Sequence, residues 1–124
     1  MQRLILAAML GLASGSALAF EMTCDRPEYL QLKTADKAEL QQEFCRTTRT
    51  HHLNLRLHKS TQQTISELRA IGADTSKQLA QAEADLDAAL SCSKAAAEYA
   101  GALERRFKSK APSVKTCLSP GPGI

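Results

Sequence analysis

The side chains of this 124-residue chain with the most capacity for chemistry are four cysteines and three histidines. Cys24, Cys45, Cys92 and Cys117 are even in number and far apart, which in a small chain reads as a disulfide framework. No C-x-x-C is present for thiol exchange or zinc, and no C-x-x-C-H for haem attachment. His51, His52 and His58 form the one histidine cluster. His51 and His58 are seven apart and share a helical face, whereas His52 points elsewhere. The i, i+4 pair of a helical metal site is missing, because positions 55 and 56 are Leu and Arg. No metal is expected. A pH response is the chemistry these side chains offer, since histidine changes charge near pH 6.5. Charging His51 and His58 beside Arg49 and Arg56 would loosen a seam between helices.

Catalysis finds little support. The serines lie in helical sequence without a G-x-S-x-G elbow. Disulfide-bonded cysteines are not nucleophiles. Asp85 and Asp87 are two apart and face different ways on a helix. No glycine-rich phosphate loop is present. No cofactor is expected, and the chain reads as a non-enzyme.

These residues need elements to hold them, and the first element is a targeting one. Arg3 is the only charge among the first twenty residues, and Leu4 to Leu12 is an apolar run. Small residues follow, ending in Ala17-Leu18-Ala19. That order reads as a signal peptide over residues 1–19, cleaved before Phe20. The run is shorter than the roughly 20 residues of a spanning helix, so no membrane span is expected in the mature form. The expected compartment is a periplasm or the exterior. The chain's net charge of +3 falls by one without Arg3. That balance, few aromatics and no Trp argue against nucleic-acid binding.

The mature chain reads as all-α: residues 20–117 form an elongated antiparallel helical hairpin stapled by two disulfides, and residues 118–124 a disordered tail. Pro27 and Glu28 can open a short helix. A long helical pattern then runs from a cap at Thr34 to about Ile71. Gly72 is the expected C′ residue, with Asp74 or Thr75 capping a second long helix that ends near Lys110 before Pro112. Ser60-Thr61-Gln62-Gln63 has capping-box spacing, so a break near Lys59 would give three helices. No strand pattern appears.

The second helix carries a heptad stripe through Leu79, Ala82, Leu86, Ala89, Ser93, Ala96, Ala100, Leu103 and Phe107. The matching stripe on the first runs Leu40, Phe44, Thr47, His51, Asn54, His58, Thr61, Ile65 and Leu68, polar in its middle. Charge blocks agree with a fold at Gly72. Basic residues 46–64 would lie beside acidic 83–98, with Glu83, Asp85, Asp87 and Glu98 as partners, and acidic 20–45 beside basic 99–124. The same blocks can pair two chains head to tail, so a homodimer is compatible with them. For the disulfides, the nested pairs Cys24–Cys117 and Cys45–Cys92 are favoured over the other two connectivities, because the midpoint of each pair lies near the turn. A straight hairpin turning at Gly72 sets Cys45 and Cys92 about 12 Å out of level, beyond the roughly 7 Å a bridge spans, and the break near Ser60 would relieve this.

The cysteine intervals, C-x20-C and C-x24-C, differ from those of twin C-x9-C hairpins, and no motif selects a known family. Two function classes remain. One is an exported interaction protein, an accessory component of an envelope, secretion or conjugation system, binding another envelope protein or macromolecule. Its expected surface is the outer face of the first helix around Leu53, Arg56 and Leu57, rimmed by Arg49. Against this, Tyr29, Leu30 and Leu32 of the leading segment would cover those leucines. The other class is a periplasmic stress chaperone or inhibitor whose binding responds to pH through His51 and His58.

Overall fold

A computed structural model describes residues 23–119. The signal-peptide reading and residues 120–124 of the expected tail lie outside the described residues. Four helices follow one another: α1 (Tyr29–Thr34), α2 (Lys37–Ala70), α3 (Ser76–Phe107) and α4 (Val114–Leu118). The fold is all-α, with α2 and α3 packed as a long antiparallel pair.

Local chemistry explains where the helices begin and end. Asp36, not Thr34, caps α2, its carboxylate accepting the Glu39 N–H at 2.8 Å. The helix then runs unbroken through Ser60, so the hairpin has two long helices and no third. The Thr64 hydroxyl donates to Ser60 O at 3.2 Å, a bond made inside a helix and not at its start. At the turn, Gly72 takes φ +75°. Its N–H meets Arg69 O at 3.1 Å and the Ala73 N–H meets Leu68 O at 2.9 Å, a Schellman motif. A side chain at Gly72 would strain this left-handed conformation. The α3 helix stops at Phe107, three residues short of the expected end, because Lys108 turns left-handed at φ 53°. α4 was not expected. Ser113 caps it, accepting the Thr116 N–H at 3.1 Å.

The α2 stripe read from sequence is the one that faces inward. Leu40, Thr47, Asn54 and Ile65 are buried, and Phe44, His51, His58, Thr61 and Leu68 are partly so. The α3 stripe is rotated from the expectation. Buried Ala82, Asp85, Ala89, Cys92, Ala96, Tyr99 and Leu103 alternate steps of three and four. Ala82, Ala89, Ala96 and Leu103 belong to both versions. Leu79 and Leu86 instead stand 44% and 42% exposed. Weighing apolarity alone chose Leu86 over Asp85, whereas in the folded pair the carboxylate is inside.

Both terminal segments double back on the hairpin, and this sets the disulfides. Cys24 bonds to Cys92 and Cys45 to Cys117, each with Cα atoms 4.8 Å apart. The nested pairing is therefore corrected to an interleaved one. His51 meets Ala89 O and His58 meets Ala82 O, pairs whose numbers sum to 140, and Thr61 meets Asp85, a pair that sums to 146. By these contacts Cys45 and Cys92 are about 4.5–13.5 Å out of level at 1.5 Å rise per residue. Direction is a further obstacle. Cys45 follows Phe44 of the seam and is turned about 100° away from it, whereas Cys92 is a seam residue. The chain reverses at Ala35 and Asp36, which returns Cys24 to the level of Ser91, whose hydroxyl accepts the Cys24 N–H at 3.3 Å. It reverses again after Lys108, which lays α4 against α2.

The core gathers at the end away from the turn. Cys24, Ala35, Leu40, Cys92, Ala95, Tyr99, Ala102 and Leu103 form it, with Leu32, Phe44, Phe107 and Ala111 at its edge. Two disulfides in a small chain place its folding in an oxidising, extracytoplasmic compartment. Among the described residues no helix is long and apolar enough to cross a membrane.

Candidate interaction surface

The turn half of the hairpin has a polar seam. His51 Nδ1 lies 2.7 Å from Ala89 O and His58 Nδ1 lies 2.9 Å from Ala82 O. A carbonyl oxygen can only accept, so both rings carry a proton on Nδ1. Between the histidines, Asn54 is buried to 1% exposure. Asp85, 7% exposed, accepts from Gln81 Nε2 at 2.8 Å and Thr61 Oγ1 at 3.4 Å. His52 stands edge-on to His51 with ring centres 5.4 Å apart. Among the described residues no three His, Cys, Asp or Glu side chains converge as metal ligands.

The expected ion pairing between charge blocks is not the arrangement found. Among the described residues the ion pairs are Arg46–Glu43 at 2.8 Å, within α2, and Arg26–Glu98 at 3.3 Å. Asp85 is occupied by neutral donors and Glu98 by the leading segment, so neither answers the basic stretch of α2. Arg49 donates to Cys117 O at 3.3 Å, where a cation suits the carbonyl end of α4. Arg56 is exposed.

At the other end, Tyr99 ties the leading segment to α3. Its hydroxyl donates to Gln31 Oε1 at 3.2 Å, and Arg106 Nη1 donates to Leu32 O at 3.0 Å. Burial, and then the charge of Glu43, push the Tyr99 phenol above its ordinary value. The hydrogen bond to Glu43 raises the Arg46 guanidinium further. At the turn, the hydroxyl and N–H of Ser76 hold the Asp74 carboxyl below the usual range.

The leading segment packs against α3. Tyr29 and Leu30 are 73% and 67% exposed. They do not shelter the leucines of α2. Leu55 and Leu57 are each 37% exposed and Leu53 is half-buried. The three leucines divide between two flanks. One surface hollow is lined by Ser60, Thr61, Thr64, Lys77, Gln78 and Gln81. Another is lined by Gln62, Ile65, Ser66, Arg69 and Leu79. Seven-residue steps put Leu53 and Leu57 on the flank of Ser60 and Thr64. The same steps put Leu55 on the flank of Gln62 and Leu79, together with Leu86. Leu90, 51% exposed, stands one turn beyond Leu86 on that side. Heptad spacing and apolarity assign Leu79 and Leu86 to the seam, which hides this second flank in the sequence. The polar and charged neighbours of Leu86, Asp85 and Asp87, were the signal that the stripe was ambiguous.

Comparison with protein-family models, with curated proteins and with solved structures finds no match for this chain.

Proposed function

We propose that this is a small exported, non-enzymatic interaction protein of the periplasm, released by cleavage of residues 1–19 and acting as an accessory component of an envelope, secretion or conjugation system. One observation carries the reading. After both terminal segments have packed, Leu55, Leu57, Leu79, Leu86 and Leu90 remain 37–51% exposed in the turn half. Leu55, Leu79, Leu86 and Leu90 share one flank, and clustered apolar surface of this kind marks an interaction site. Capture from the native envelope by the wild type, lost on Leu→Ser substitution at these positions with thermal stability unchanged, supports the proposal. Capture indifferent to every one of these leucines sinks it. N-terminal sequencing of the exported protein should begin at Phe20, and a start at Met1 would remove the export part of the reading.

The histidine seam favours a second reading, a stress chaperone or inhibitor that binds under acid conditions. Two extra protons at Nε2 would bring charge into a seam that already holds buried Asn54 and Asp85. Suppression of client aggregation, followed by light scattering across pH, should then appear only on acidification and vanish in the His51→Gln/His58→Gln double variant.

A further inference from the structure

We infer that the leucine flank of the turn half seats a second copy of this chain, forming a parallel, two-fold dimer of hairpins in which each copy's α2 lies beside its partner's α3. This inference rests on the interaction-protein reading and names the partner. The centre of the flank is apolar, with Leu55 of α2 and Leu79, Leu86 and Leu90 of α3, all exposed. Its two edges carry opposite charge. Stepping round α2 from Leu55 leads to Arg56 and Lys59, both exposed. Stepping round α3 from Leu86 and Leu90 leads to Glu83 and Asp87, both exposed. Arg56 and Lys59 form no ion pair in the monomer, nor do Glu83 and Asp87, among the described residues.

Charge complementarity selects both the occupant and the symmetry. Two hairpins can meet face to face about a two-fold axis running either along the helices or across them. An axis across the helices sets α2 against α2, placing Arg56 and Lys59 of one copy against the same residues of the other. An axis along the helices sets α2 against α3 and preserves level. By the contacts across the seam, Arg56 is level with residues 84–90 of α3 and Lys59 with residues 81–87. Arg56 then stands within about 4.5 Å of Asp87 along the axis, inside side-chain reach. Lys59 stands within about 6 Å of Glu83 by the same rise. Each contact occurs twice by symmetry. The opposite flank offers Ser60, Thr64, Lys77 and Gln81 and lacks this division of charge.

The test is the mass of the full exported protein, both disulfides closed, by light scattering after size exclusion, with sedimentation across a concentration series. A dimer is expected. Leu86→Ser/Leu90→Ser should be monomeric wherever the wild type is dimeric, and should melt at the temperature of wild type diluted to monomer, because both side chains are exposed. Leu57→Ser, on the other flank, should leave the dimer intact. Arg56→Glu should weaken dimerisation about tenfold at low salt. Asp87→Arg added to Arg56→Glu should restore part of it. A monomeric wild type overturns the dimer. If Leu86→Ser/Leu90→Ser then still abolishes capture of an envelope partner, the interaction reading stands without it. If capture is also unaffected, both fail. A dimer that survives Leu86→Ser/Leu90→Ser, or that Leu57→Ser dissolves, overturns the assignment of the flank.

Discussion

Away from the turn, four segments pack together. The leading segment lies on α3, α4 lies on α2, and a disulfide closes each contact. Next to the turn, only α2 and α3 remain, and their seam is His51, Asn54, His58, Thr61 and Asp85 with Ala82 and Ala89 opposite. One heptad register runs through both halves, yet the first half buries Leu40, Tyr99 and Leu103 and the second buries a single large apolar side chain, Ile65, among polar groups and alanines. A polar seam gains little from the hydrophobic effect but restricts which register satisfies its hydrogen bonds. The difference teaches a division of labour. One end supplies stability, and the other supplies alignment and leaves its leucines outside.

The largest expected effect comes from opening the clasp. Cys45→Ala/Cys117→Ala should lower unfolding free energy in urea by about 4 kcal/mol, given a loop of some 70 residues. An unchanged midpoint would mean that the clasp does not stabilise the far end. Leu103→Ala should cost about 3 kcal/mol, since Leu103 has no exposure. Ile65→Ala, in the turn half, should cost about 2 kcal/mol. Equal costs would erase the distinction between halves.

Hydrogen exchange sharpens the comparison without mutation. Amides of α2 and α3 in the turn half should exchange through local openings, while those near Leu40 and Leu103 exchange only on global unfolding. Uniform protection would show one cooperative unit. A smaller effect is expected at alkaline pH. The folded protein holds the Tyr99 proton more tightly than the unfolded chain, whose tyrosine titrates at its ordinary value of 10.0. Tyr99's contribution is therefore complete below pH 10 and is lost as pH rises through the higher folded value. Tyr99→Phe should flatten that limb of the stability curve. The smallest effect is at Asp74, which is fully exposed. Its contribution is present above the ordinary carboxylate value and lost as pH falls through the depressed folded one. Asp74→Asn should barely alter the acid limb.

Much of the architecture was legible in the amino-acid order, because it depends on local rules. Heptad spacing marks α2 and its inward face, including the improbable Thr47, which is fully buried with its hydroxyl donating to Glu43 O at 2.9 Å. Gly72 marks the turn because few other residues accept its backbone angle. Even cysteines in a small chain mark two bridges. The candidate surface was only partly legible. Three leucines in five residues cannot share one face, which flags exposed apolar surface on α2, but the flank on α3 depends on one choice between Asp85 and Leu86.

What the tertiary structure alone decided is set by long-range geometry. Cys45 could be assigned a partner only once the rotation of α2 about its axis and the reversals at Ala35 and Lys108 were known. α4 is five residues long and too short to hold a helix alone; it exists where Cys117 is tied to Cys45 and Arg49 meets its last turn. Asp85 is inside because Thr61 from the opposite helix and Gln81 from its own reach its two oxygens. Local spacing shows which residues share a helical face, but it does not show which neighbour will satisfy a buried charge. That neighbour is chosen when the two helices meet.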